Sequence, residues 1–184
     1  MAIKFTPTEL PEVILVEPDV WPDDRGHFSE VYHREKYRAG GVERDFVQDN
    51  FSFSGRGVLR GLHYQLKSPQ AKLVAALSGE IFDVAVDLRR DSPNFKKWVG
   101  VKLSGESKKQ LFIPEGFAHG FLVLSETAEV LYKCSRLYDP ADDRGVRWDD
   151  PQLAIDWLSV PSQISPKDRE LPGLEEILKN ELCP

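Results

Sequence analysis

Between residues 12 and 138 the chain keeps offering short apolar runs broken by turn residues, and this spacing restricts the fold more than any other feature. The runs at 12–17, 28–33, 48–65, 71–77, 81–88, 98–103, 110–113, 120–124 and 128–138 recur at roughly ten-residue intervals, as in an antiparallel sandwich or barrel. In IFDVAVDL (81–88), Phe82, Val84, Val86 and Leu88 share one face, and Ile81, Asp83, Ala85 and Asp87 the other, polar-decorated one. Residues 34–41 predict a helical turn or two, and only LEEILKNEL (174–182) has clear helical spacing. An all-β protein of two packed sheets is therefore expected.

A chain of 184 residues is long enough to bury a sizeable core, and no repeat or low-complexity segment divides it. One domain over residues 1–184 is expected, with the proline-containing stretch from about residue 160 returning over the barrel. The mixture of 41% hydrophobic and 29% charged residues is that of a globular protein rather than a disordered one. A net charge of -6 argues against nucleic acid as partner, because phosphate binding needs a basic surface. Two cysteines, Cys134 within an apolar run and Cys183 next to last, make no disulfide framework. No run of 18 apolar residues suits a membrane, and MAIKFTPTELPEV lacks the pattern of an export signal, so a cytoplasmic location is expected.

Polar chemistry concentrates in QDNFSFSGRGVLRGLHYQ, residues 48–65, a strand-turn-strand segment punctuated by Gly55, Gly57 and Gly61. Strict alternation would put Leu59, Gly61 and His63 on one face and Arg60, Leu62 and Tyr64 on the other. A bend or bulge near Gly61 is required if Arg60 and His63 are to reach one cavity.

Two short motifs resemble those of the cupin superfamily, double-sheet jelly rolls whose metal-binding members hold an ion with three His and a Glu. His63-Tyr64-Gln65 aligns with the first motif, and Pro114-Glu115-Gly116-Phe117-Ala118-His119 fits the second, PxGxxH. Gln65 and Lys72 stand where ligands would be expected, and a charged ammonium cannot ligate, so no metal is expected. A fixed ammonium can instead stabilise an oxyanion beside a carbonyl. A Lys in a strand is ordinarily solvated, but the apolar neighbours Ala71, Leu73 and Val74 favour a pocket.

The segments DRGHFSE, QDNFS, GVLRGLHYQ, GEIFDVAVDLR, IPEGFAHGFLVL and RWDDP, in this order over about residues 10–170, resemble the dTDP-4-dehydrorhamnose 3,5-epimerase family. The resemblance implies a cupin-type double-stranded β-helix with a few short C-terminal helices. It also implies conversion of dTDP-4-dehydro-6-deoxy-D-glucose to dTDP-4-dehydro-L-rhamnose, without cofactor, by proton removal and return at carbons 3 and 5. His63 matches the base, which suits an imidazole titrating near working pH. Tyr132 matches the acid on the opposite face, and Asp168 the carboxylate that orients the His. For binding, the resemblance maps Arg25 and Arg60 to the diphosphate, Phe28 and Tyr138 to stacking on thymine, and Glu30, Gln48 and Asn50 to hydrogen bonds. Lys72 and His119 then surround the sugar, with Asp143 and Lys167 as further contacts. Two departures stand out: Asp143 is shorter than the Glu usual there, and His27 replaces an apolar aromatic.

Without that pattern each residue has a plainer role: His63 or Tyr132 as a core ring, Arg25 and Glu30 as an ion pair, Phe28 and Tyr138 as core. An epimerase acting at one carbon, a ketoisomerase and a non-catalytic sugar-nucleotide-binding module are the alternatives, and a metal-dependent cupin oxygenase is the most remote. The family also implies a homodimer whose N-terminal strand passes to the partner's sheet, and the apolar segment 13–16 is compatible with such edge pairing.

Overall fold

A computed structural model describes residues 3–179. Its strands are β1 (Lys4–Pro7), β2 (Ile14–Glu17), β3 (Val20–Asp23), β4 (Gly26–Ser29), β5 (Gln48–Gly55), β6 (Val58–Gln65), β7 (Lys72–Ser78) and β8 (Glu80–Asp87). They continue with β9 (Trp98–Ser104), β10 (Gln110–Ile113), β11 (Phe117–Val123), β12 (Thr127–Cys134), β13 (Asp143–Gly145) and β14 (Gln163–Ile164). Among the described residues three short helices complete the set: α1 (Arg34–Ala39), α2 (Pro166–Arg169) and α3 (Leu174–Ile177).

The strands form two facing sheets. The first runs β1-β2-β10-β7-β12-β5, and the second runs β13-β6-β11-β8-β9 with β14 added parallel to β6. Between them lie Val74, Ala76, Ile81, Ala85, Leu103, Leu111, Phe121 and Val130, the shared interior of a cupin-type jelly roll. Strand β8 is buried on both faces, because Phe82, Val84 and Val86, with Leu88 just past its end, pack outward under Leu153, Trp157, Leu174 and Ile177 of the C-terminal segment. The polar-decorated face expected for 81–88 thus points into the barrel rather than to solvent, and Asp83 and Asp87 are both fully buried.

Several boundaries differ from the sequence expectation for local reasons. The strand expected at 28–33 ends at Ser29, and the chain turns into α1 where the His33 ring accepts a bond from the Lys36 amide. The segment 13–16 is no free edge, since β2 pairs with β1 on one side and β10 on the other. The edges of that sheet are β1 and β5. The expected helix at 174–182 is seen as α3, while residues 180–182 and Cys183 lie outside the described residues. The stretch after residue 160 does return over the barrel, pairing Gln163 with Val58 and Ile164 with Leu59.

The bend required near Gly61 is present. His119 stands opposite His63 and Phe121 opposite Arg60, so three residues of β6 span two of β11 and the side-chain parity reverses. Leu59, Leu62 and Tyr64 all join the outer core, while Arg60 and His63 both face the barrel cavity. Only glycine suits the pivot: Gly61 has φ +117°, and a Cβ there would lie 2.6 Å from the Gly120 Cα and 2.7 Å from the His119 carbonyl oxygen.

Candidate active site

The barrel encloses an open-mouthed cavity of about 580 Å³. Strand β6 contributes Arg60 and His63, β7 Lys72, β11 His119, β12 Tyr132, and helix α2 contributes Lys167 and Asp168. All three residues expected to do chemistry and four of the expected binding residues therefore meet in one place. His63 belongs to the second sheet and Tyr132 to the first, so the two stand on opposing walls.

His63 Nε2 lies 2.7 Å from Asp168 Oδ1. The other carboxylate oxygen accepts the Gly61 amide at 3.2 Å. Ser165 caps α2, its hydroxyl accepting the Asp168 amide at 3.0 Å, with Pro166 as the first helical residue. Burial by itself would raise the Asp168 carboxyl; the bond and charge of His63, the Gly61 amide and Ser165 outweigh it and hold the group below the usual carboxylate range. An ionised Asp168 places the proton of a neutral His63 on Nε2 and leaves Nδ1 as the basic atom.

A second pair sits behind the first. His119 Nε2 lies 2.8 Å from Asp83 Oδ1, deep in the barrel. Burial pushes the His119 imidazole below its ordinary value despite the neighbouring carboxylate, so it stays neutral. Burial also pushes the Lys72 ammonium down, opposed by Cys134, Asp143 and Asp83, and pushes the Tyr132 phenol up, keeping it a proton donor. The His119 and Tyr132 ring centroids are 6.4 Å apart.

At the mouth, Tyr138 donates to Asp143 Oδ2 at 2.9 Å, and the same oxygen receives the Lys167 ammonium in a short ion pair. Gln48 bridges this rim to the first sheet: its carbonyl accepts the Tyr138 amide at 2.8 Å and its amide donates to Asn50 at 3.0 Å. Arg60 is steadied by Ser54, whose hydroxyl accepts from Nε at 3.0 Å. The remaining expected contacts stand apart. Arg25 pairs with Asp23, Phe28 stacks on Trp21 at 5.7 Å, and Glu30 pairs with Lys36 at 2.7 Å, all outside the cavity of their own chain.

The donor set does not suit a transition metal. Gln65 gives its amide to the Ser68 carbonyl and its oxygen accepts the Asp139 amide, and a lysine, Lys72, stands where a carboxylate or imidazole ligand would be needed. Among the described residues no three His, Cys, Asp or Glu side chains cluster as ligands, and no helix is long and apolar enough to cross a membrane.

The sequence profile of the dTDP-4-dehydrorhamnose 3,5-epimerase family matches residues 7–176. The chain belongs to this family. A dTDP-4-dehydrorhamnose 3,5-epimerase of Pseudomonas aeruginosa is 55% identical over 170 residues, 91% of this chain and 94% of the relative. A dTDP-6-deoxy-D-glucose-3,5-epimerase of Legionella pneumophila, solved with dTDP-4-keto-L-rhamnose, superposes with a TM-score of 0.95 at 48% identity, covering 98% of this chain and 97% of that one. A 3′-monoepimerase of Streptomyces bikiniensis, solved with dTDP-quinovose, shares the fold at a TM-score of 0.88 and 32% identity, covering 95% and 89%.

Sequence reasoning missed three supports of this epimerase site: Asp83, Ser165 and strand β14. Asp83 carried a signal, a carboxylate flanked on both sides by apolar residues within a strand. The Ser165-Pro166 cap was legible as a helix start, whereas two-residue β14 has too little length for any periodicity.

Proposed function

We propose that this chain epimerises dTDP-4-dehydro-6-deoxy-D-glucose to dTDP-4-dehydro-L-rhamnose, with His63 as base and Tyr132 as acid. The observation that carries the reading is the opposition, across one cavity, of a carboxylate-oriented imidazole on one sheet and a protonated phenol on the other. His63 Nδ1 takes the proton next to the sugar's ketone, and the electrons of the C–H bond move into an enolate. Lys72 offsets the charge on the enolate oxygen. Tyr132 returns a proton from the opposite side, inverting the carbon and leaving an imidazolium and a phenolate that solvent resets. A second cycle inverts the other carbon.

Arg60 and the Lys167–Asp143–Tyr138 rim then receive the nucleotide. Arg25, Phe28 and Glu30 fit as substrate contacts only if a second copy brings its β3–β4 hairpin to the cavity, and we assign the enzyme to a homodimer on that ground. The exposed Trp21, Phe28, Phe51, Phe53 and Leu77 support such an interface. A cytoplasmic location follows from the nucleotide-sugar substrate class.

Incubation with dTDP-4-dehydro-6-deoxy-D-glucose in heavy water tests the reading. Deuterium is expected at carbons 3 and 5, with inversion at both. Incorporation and inversion at carbon 3 alone would instead assign the single-centre activity of the Streptomyces relative, and deuterium at neither would overturn the epimerase.

A further inference from the structure

We propose that Asp83 is a positioning residue of this reaction: its second carboxylate oxygen is the counter-charge that keeps Lys72 an ammonium beside the developing enolate. The inference rests on the epimerase reading above and extends it to a residue that does not line the cavity.

Two complementary groups are left over in the barrel. Asp83 is fully buried, and while Oδ1 is bonded to His119, Oδ2 is buried without a hydrogen-bond partner among the described residues. Lys72 is 9% exposed, and its ammonium makes no hydrogen bond or ion pair among them. An isolated buried charge of either sign is unfavourable, and each is the natural compensation for the other.

The other groups facing Lys72 are already committed. On β12, Cys134 stands directly opposite Lys72 in register, but burial pushes its thiol up and keeps it neutral; Tyr132 is a protonated phenol. On β13, Asp143 is bonded by Lys167 and Tyr138. On β11, neutral His119 spends its Nε2–H on Asp83, and on β6, His63 is turned to Asp168. Burial draws Lys72 toward the neutral amine, opposed by Cys134 and by the carboxylates of Asp143 and Asp83; with the Cys134 thiol held neutral, the carboxylates are left to supply the counter-charge. Asp143 takes both of its bonds on one oxygen, Oδ2, but among these carboxylates only Asp83 has an oxygen that is both buried and without a hydrogen-bond partner among the described residues. His119 then acts as a spacer, fixing the carboxylate so that Oδ2 remains available.

Asp83→Asn tests this, because the amide keeps the shape and an acceptor for His119 but removes the charge. Exchange of substrate hydrogen with solvent should fall by about 10²-fold at pH 8, the scale of losing one oxyanion stabiliser. It should recover toward the wild-type rate measured at the same pH as the pH is lowered and Lys72 regains its proton, with KM changed little. An equal loss at every pH, or none, would overturn the proposal. Lysine ¹³Cε NMR gives a second reading on wild-type protein: Lys72 should keep its ammonium shift at pH 8, and an amine shift at pH 7 would overturn the proposal even if the variant failed to fold. Absence of exchange in the wild type would instead count against the epimerase reading, which the NMR titration does not depend on.

Discussion

Two histidine–aspartate pairs lie side by side in this barrel, with His63 and His119 directly opposite each other on β6 and β11. Their contacts are nearly the same length, 2.7 and 2.8 Å, yet their surroundings differ. The His63 side chain is 31% exposed to the cavity, and both oxygens of Asp168 are engaged. The His119 side chain is 6% exposed, and one oxygen of Asp83 is left over. A base needs an open edge, a satisfied carboxylate behind it and water nearby to carry protons away. Only the first pair has these. The second has what a fixed electrostatic element needs, namely rigidity and a low-dielectric setting.

The largest test of that contrast is His63→Ala. Loss of the base should lower solvent exchange by about 10⁴-fold, while dTDP affinity by calorimetry stays within a few-fold of wild type. Equal loss of binding would mean His63 holds the substrate rather than attacking it. Asp168→Asn comes next, at roughly 10²- to 10³-fold, since the ring remains but its tautomer is no longer enforced. Its defect should appear in kcat far more than in KM.

Next in size is His119→Gln, which keeps a donor for the Asp83 carboxylate and should cost about tenfold or less, because the hydrogen bond is altered rather than lost. A loss as large as that of His63→Ala would erase the distinction between the pairs and make His119 a proton carrier.

The same contrast marks how far the sequence could be read. The strand series, the need for a bend at Gly61 and the polar concentration in residues 48–65 followed from periodicity and glycine placement, because those are local properties. The partnership of His63 with Asp168 was not legible from spacing, because 105 residues separate the two and a short cap at Ser165 delivers the carboxylate. Asp83 was noticed only as decoration on a strand face. Alternation reports which residues share a face, but whether that face meets water or another sheet depends on the second sheet. Arg25, Phe28 and Glu30 matched the family pattern while lying outside their own chain's cavity, since a motif records residue types in order and not where the fold places them.

The smallest effect separates the pairs without any substrate. Asp168 is held below its ordinary value in the fold, so its contribution to stability is complete above the unfolded carboxylate range, near about pH 4, and is lost as pH falls through the lower folded value. His119 is held below its ordinary value too, but for an imidazole this means the unfolded chain binds a proton that the fold refuses. Its penalty therefore begins as pH falls below about 6.5, well before the Asp168 window opens. Denaturant midpoints measured from pH 7.5 down to pH 3 should decline in two stages. His119→Gln should flatten the first stage, leaving the second, and Asp168→Asn should flatten the second while lowering stability at neutral pH. If the upper stage persists in full in His119→Gln, the buried pair is not what the acid attacks first, and its neutrality must be abandoned along with the division of labour drawn from it.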